Sequence, residues 1–174
     1  MPKQPLVSIL MGSDNDYEVM VEAAKALDQF GIPFEMTVSS AHRTPERTAG
    51  IVRSARDRGV KAIIAGAGAA AHLAGVVAAE TVLPVIAVPI DSTALNGLDA
   101  LLAMVQMPAG IPVATVAIGK AGARNAGILA AQILAVGDAD LTRKLITFKA
   151  EMAAGVETKA KALENRLKVD FPTR

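Results

Sequence analysis

The chain of 174 residues has no cysteine and no tryptophan, and only one tyrosine, four phenylalanines and two histidines. Each shortage removes a class of protein. Without cysteine there are no disulfides, no thiolate nucleophile and no thiolate-rich metal site. That composition suits a reducing, cytoplasmic setting. So few aromatic rings leave little with which to stack nucleic-acid bases. An excess of one charge sign is also missing: 18 Lys plus Arg stand against 17 Asp plus Glu, a formal net charge of +1. Neither nucleic acid nor an anionic membrane is therefore expected as a partner. Two histidines and scattered carboxylates offer no metal-ligand spacing, so no metal is expected. Met1-Pro2-Lys3-Gln4-Pro5 leads directly into an apolar stretch, without the ordered regions of a signal peptide.

Hydrophobic residues, by contrast, are abundant at 52%, with a mean hydropathy of +0.38. Ala62 to Ala79 contains no Asp, Glu, Lys or Arg, which is long enough to suggest a membrane span. Its three glycines, its histidine and its many alanines fit a buried strand, a glycine turn and a helix better. So apolar a chain of this size is expected to bury part of its surface against copies of itself.

Apolar runs alternate with segments of helical periodicity. Leu6–Met11 reads as a strand, and Asp16–Phe30 as a helix with Val19, Met20, Ala23, Ala24 and Leu27 on one face. Phe34–Val38 is a second strand, and Pro45 suits the first turn of the helix after it. Ala62–Ala65 with Ala69–Thr81, Val85–Val88 with Gly97–Met104, and Val113–Ile118 with Ala121–Leu134 repeat the unit. Five βα units predict a parallel sheet covered on both faces, doubly wound because the chain is too short for an eight-unit barrel. After Gly137, a stripe of Leu141, Leu145, Phe148, Met152, Val156, Leu163 and Leu167 predicts one long helix, about 138–168, suited to lie across a neighbouring subunit. Residues 1–174 are read as a single domain.

In such sheets ligands bind beyond the carboxyl ends of the strands, and both histidines stand there. His42 follows Val38-Ser39-Ser40-Ala41 and precedes Arg43, whose fork of donors suits a phosphate or carboxylate. Histidine exchanges a proton near neutral pH, which makes His42 a candidate acid–base. The first loop, Gly12-Ser13-Asp14-Asn15-Asp16, could hold a phosphate at a helix start or simply cap that helix. There Asp16 is suited to accept hydrogen bonds from sugar hydroxyls. Thr44 before Pro45 is placed to cap the next helix. Gly66-x-Gly68-x-x-Ala71, with Asp91 about 20 residues on, imitates a dinucleotide fingerprint. It follows the third strand rather than the first, so backbone presented to a smaller ligand is the better reading. By position alone His72, at the start of an alanine-rich helix, is nearly as readily structural as catalytic.

Met11-Gly12-Ser13 with Asp16, Ser40-Ala41-His42-Arg43-Thr44-Pro45, Ala65-Gly66-Ala67-Gly68 with Ala70-Ala71-His72-Leu73, Gln106-Met107-Pro108 with Gly110-Ile111-Pro112-Val113, and Ala117-Ile118-Gly119-Lys120-Ala121-Gly122-Ala123 with Asn125-Ala126 together resemble a known family. It is the bacterial type of N5-carboxyaminoimidazole ribonucleotide mutase, the PurE family of purine biosynthesis. The resemblance implies a flavodoxin-like α/β/α fold, a homo-octamer, and movement of a carboxylate from an exocyclic nitrogen to carbon 4 of an imidazole ribonucleotide. It implies neither cofactor nor metal. Carried over residue by residue, it makes His42 the proton shuttle and His72 a supporting catalytic residue. Ser13, Asp16, Ser40 and Arg43 would hold the ribose phosphate, with Ala67, Gly68 and Leu73 beside the base.

Two neighbouring functions remain as alternatives. One is direct carboxylation of the uncarboxylated ribonucleotide by carbon dioxide, performed by a relative that usually has Lys-Gly where Arg43-Thr44 stand and lacks the Ala-His-Leu. The other is a non-catalytic flavin- or nucleotide-binding module, disfavoured by the lack of rings to flank a flavin. Departures from the family pattern are Asn15, Tyr17, Ala69 and Ala74. Of these, Ala69 replaces a usual glycine, which matters if the position requires a positive φ.

Overall fold

A computed structural model describes residues 4–172, which divide into two compact units between Leu134 and Ala135. The first unit holds β1 (Val7–Met11), α1 (Tyr17–Gln29), β2 (Phe34–Val38), α2 (Pro45–Ala55), β3 (Ala62–Gly68), α3 (Leu73–Ala79), β4 (Val85–Ile90), α4 (Leu98–Val105), β5 (Ala114–Thr115) and all but the last residue of α5 (Gly119–Ala135). The strands form one parallel sheet in the order β2-β1-β3-β4-β5. This is the flavodoxin-like arrangement, with its switch point between β1 and β3. There Met11 is level with Gly66, and Gly12 N donates to the Gly66 carbonyl at 3.1 Å.

Strands buried on both faces explain the apolar runs. Val7–Met11 and Val85–Ile90 are buried throughout, as parallel strands between two helical layers must be. On one face Leu10, Ile63, Ala65, Ala67, Val85 and Ala87 form a core with Val52 and Ala55 of α2, Leu73 and Val77 of α3, and Ala100 and Met104 of α4. On the other, α1 lies so close that a Cβ on Gly66 would meet Met20 Sδ at 2.2 Å. The residues of the fingerprint-like loop thus have packing reasons for being glycine.

Several element bounds differ from the sequence expectation. The helix expected from Ala69 begins at Leu73, because Ala69 takes φ +52°, which no helix accommodates. β3 instead continues to Gly68. β5 is only two residues long, paired with Ile86 and Ala87 at the sheet edge. The first helix is preceded by a 3-10 turn at Asp14–Asp16, and α1 starts at Tyr17.

The second unit is dominated by α6 (Ala139–Asp170), whose start is capped by the Asp138 carboxylate accepting from Leu141 N at 2.9 Å. Leu141 and Leu145 are buried, whereas Met152, Val156, Leu163 and Leu167 are exposed. Among the described residues no helix is long and apolar enough to cross a membrane. The run from Ala62 to Ala79 is divided between β3, a loop and α3.

Candidate functional site

The loops after β1, β2 and β3 converge on a cavity of about 490 Å³ at the carboxyl edge of the sheet. Ser13, Asp16, Ser40, His42, Arg43, Ala67, Gly68 and Leu73, all singled out from sequence, line it. So do Gly12, Asn15, Ala41, Ala69, Ala70 and Ser92. His72 is not part of the lining. It lies behind His42, whose Nε2 is 2.9 Å from His72 Nδ1, the rings meeting edge to face with centroids 5.0 Å apart.

The first loop is held by reciprocal hydrogen bonds. Asn15 N donates to Ser13 Oγ at 3.3 Å, and Ser13 N donates to Asp16 Oδ2 at 3.0 Å. This is a capping box on the 3-10 turn, so the capping reading holds, and Ser13, Asn15 and Asp16 also face the cavity. Asp16 is 7% exposed. Burial pushes its carboxyl above the ordinary carboxylate value, against the lowering effect of the Ser13 and Gly12 amides, and the Asp14 charge adds to the rise.

The second loop is fastened from beneath by a buried hydrogen bond of 2.8 Å between the Ser39 and Thr48 hydroxyls. Thr44 occupies the N-cap of α2 and Pro45 its first turn. However, the Thr44 hydroxyl donates backward to the Ser40 carbonyl at 3.0 Å and makes no capping bond. Thr44 therefore closes the 40–44 turn rather than the helix. Arg43 is shared between loops: its Nη2 donates to the Gly12 carbonyl at 3.2 Å, and its N donates to Ser40 Oγ at 3.2 Å. The guanidinium retains donors for an anion between the two loops. Among the described residues no carboxylate neutralises it.

The third loop supplies backbone and methyl groups. Ala67, Gly68, Ala69 and Ala70 give this side of the cavity no polar side chain. Asp91, the acidic member of the imitated fingerprint, does not line the cavity. Ser92 does, and sequence reasoning missed it. The available signal was its position just past β4, where strand-end residues meet ligands.

Chemically, one end of the cavity gathers the hydroxyls of Ser13 and Ser40, the Asp16 carboxyl and the Arg43 guanidinium, His42 adds an imidazole, and the end at 67–70 is lined by small residues. Its volume suits a small metabolite. Among the described residues there is no group of three or more His, Cys, Asp or Glu side chains placed to hold a metal ion.

Fold and site together define a doubly wound α/β protein with a metabolite-sized pocket at its switch point. Comparison with known proteins narrows the class. The model of the AIR carboxylase family matches residues 6–155, and the chain belongs to that family. It is 56% identical over 162 residues to an N5-carboxyaminoimidazole ribonucleotide mutase of Pyrococcus horikoshii, covering 93% of this chain and 90% of that one. To a Bacillus subtilis protein of the same name it is 61% identical over 142 residues, covering 82% and 88%. The crystal structure of Treponema denticola PurE superposes with a TM-score of 0.83 at 30% identity, covering 91% of this chain and 98% of that one.

Proposed function

We propose that the chain is an N5-carboxyaminoimidazole ribonucleotide mutase, an isomerase of purine biosynthesis. The relatives that bear this name support the reaction. The observation that carries the reading to residues is the convergence of His42, Arg43, Ser40, Ser13 and Asp16 on one cavity.

Arg43, with Ser13 and Ser40, takes the 5′-phosphate, and Asp16 accepts from the ribose hydroxyls. The imidazole then extends toward Ala67, Gly68 and Leu73. His42 donates a proton to the carbamate nitrogen; the nitrogen–carbon bond breaks and carbon dioxide is released inside the cavity. Carbon 4 attacks the trapped carbon dioxide to form the new carbon–carbon bond, and His42 recovers a proton from carbon 4 as the ring regains aromaticity. The proton count closes on one imidazole without an added reactant.

The hydrogen bond to His72 fixes which nitrogen does this. The contact occupies His42 Nε2 whichever of the two facing nitrogens carries the hydrogen, which leaves His42 Nδ1, protonated at the start of the cycle, to give the proton and later take one back. Holding the intermediate gas next to carbon 4 is a matter of positioning and of keeping water out.

The same reading includes a cytoplasmic homo-octamer that needs neither metal nor organic cofactor. It is supported by the apolar residues exposed on α4 and α6, among them Leu98, Leu102, Val156 and Leu163. The deciding experiment gives the purified protein the carbamate substrate in one vessel and the uncarboxylated ribonucleotide with bicarbonate in another. Rapid product in the first only is expected. Rapid product from the second alone would make the protein a direct carboxylase, and a yellow protein releasing flavin would make it a binding module.

A further inference from the structure

The reaction moves a carboxylate, yet the half of the cavity built by Ala67, Gly68, Ala69, Ala70 and Leu73 offers it no side-chain donor. An anion brought against alanine walls requires hydrogen-bond donors to replace its water. Ser92 is the one side chain in that half that can provide one. It arrives from a different strand, just beyond β4, and its hydroxyl has no partner among the described residues. Its backbone is held, since Ser92 N donates to the Ile90 carbonyl at 3.0 Å.

The neighbouring glycine shows how close the hydroxyl of the exposed Ser92 stands to the third loop. A Cβ on Gly68 would lie 1.9 Å from Ser92 Oγ and 2.8 Å from Ser92 Cβ. Absence of a side chain at 68 therefore makes the room in which Ser92 reaches the cavity. In this conformation the hydroxyl stands directly against the backbone of the third loop. Loop and hydroxyl together form one polar contact surface inside an otherwise methyl-lined end.

We propose that Ser92 is a specificity-determining residue that donates a hydrogen bond to the migrating carboxylate, and that Gly68 is required to make room for it. The proposal rests on the mutase reading and on the phosphate lying at Arg43, which directs the base toward this end. Ser92 changes no covalent bond. It holds the carboxylate in the carbamate and carbon-4 forms, so it acts on carboxylated nucleotides and is indifferent to the uncarboxylated one.

The test compares the intact protein with Ser92→Ala and Ser92→Thr by calorimetric titration with three probes: the carbon-4 carboxylated ribonucleotide, the uncarboxylated ribonucleotide and ribose 5-phosphate. A lost hydrogen bond to a charged group corresponds to about tenfold or more in affinity. Ser92→Ala is expected to lose about that factor for the carboxylated ribonucleotide only, with KM for the carbamate rising in parallel. Ser92→Thr, which keeps the hydroxyl, should recover most of it. Equal weakening of all three probes, or no change for any, overturns the assignment of Ser92. Failure of the unaltered protein to bind the carboxylated ribonucleotide overturns instead the mutase reading on which it stands.

Discussion

His42 Nε2 and His72 Nδ1 lie 2.9 Å apart, although 30 residues separate them in sequence. Such a bond holds only when one of the two facing nitrogens carries hydrogen and the other does not. In the proposed mechanism His72 acts through His42, orienting the ring by this contact. Replacing His42 by Asn should abolish turnover, by at least about a hundredfold as expected for loss of a general acid–base, while titration still detects the ribonucleotide. Replacing His72 by Ala should lower kcat less than that and leave KM nearly unchanged. If His72→Ala matches His42→Asn in kcat, His72 takes part in proton transfer itself. Near-normal turnover of His42→Asn would remove His42 from the shuttle role.

Ala69 adopts φ +52° on the cavity wall. For an L-residue with a Cβ the left-handed region costs about 1–2 kcal/mol, of which the greater unfolded-state freedom of glycine offsets about 0.4–1 kcal/mol. Ala69→Gly should thus raise stability by up to about 1 kcal/mol, a gain of about 2–4 °C in Tm for a chain of this length. A valine at this position, branched at Cβ, should be worse than alanine. Urea melts of the three proteins decide it, and a less stable glycine variant would mean that the loop is not strained at 69.

That strain marks where sequence was informative and where it was not. The apolar runs and helical stripes set the βα alternation, and hence the sheet, because burial on two faces leaves little choice of residue. Ser13, Asp16, Ser40, His42 and Arg43 were legible as strand-end residues of unusual polarity. The His42–His72 bond was not, because it joins two loops whose approach depends on the packing of α2 and α3 on the sheet. Ser92 escaped because it carries no charge and follows a strand whose loop has little else to distinguish it. The helix start expected at Ala69 failed for one backbone angle, whose sign was the glycine usual at this position in the family the chain resembles. Gly66 looked like a nucleotide motif, yet Met20 against it is a sufficient cause.

Asp16 is a carboxylate kept buried where its charge is disfavoured. Burial raises its folded-state value, so the native state holds the proton more tightly than the unfolded chain does. Stability from this group is present below the unfolded carboxylate range and is lost as pH rises through the folded value. At neutral pH the charge is a net cost, one that the proposed contact with ribose hydroxyls would account for. Asp16→Asn, which still accepts from Ser13 N, should melt at the same or a higher temperature at pH 7 and bind ribose 5-phosphate more weakly. Any advantage should disappear at pH 3, where aspartate too is neutral. A clear loss of Tm at pH 7 alone would show that the charge stabilises the loop.

Along α6, Met152, Val156, Leu163 and Leu167 recur on one stripe, and all four are exposed. Apolar residues at helical spacing over so many turns are rarely left in water. A neighbouring copy in the proposed octamer is the occupant that suits this stripe. Ending the chain before Leu141 should therefore reduce the assembled mass measured by light scattering, with the sheet intact by circular dichroism. A milder change, Val156→Glu with Leu163→Glu on the full chain, should have the same effect by placing charge in the contact. It leaves the cap at Asp138 and the buried Leu141 and Leu145 untouched, so a smaller particle from this variant isolates the exposed stripe as the cause. An unchanged mass in both proteins would remove α6 from the assembly contacts.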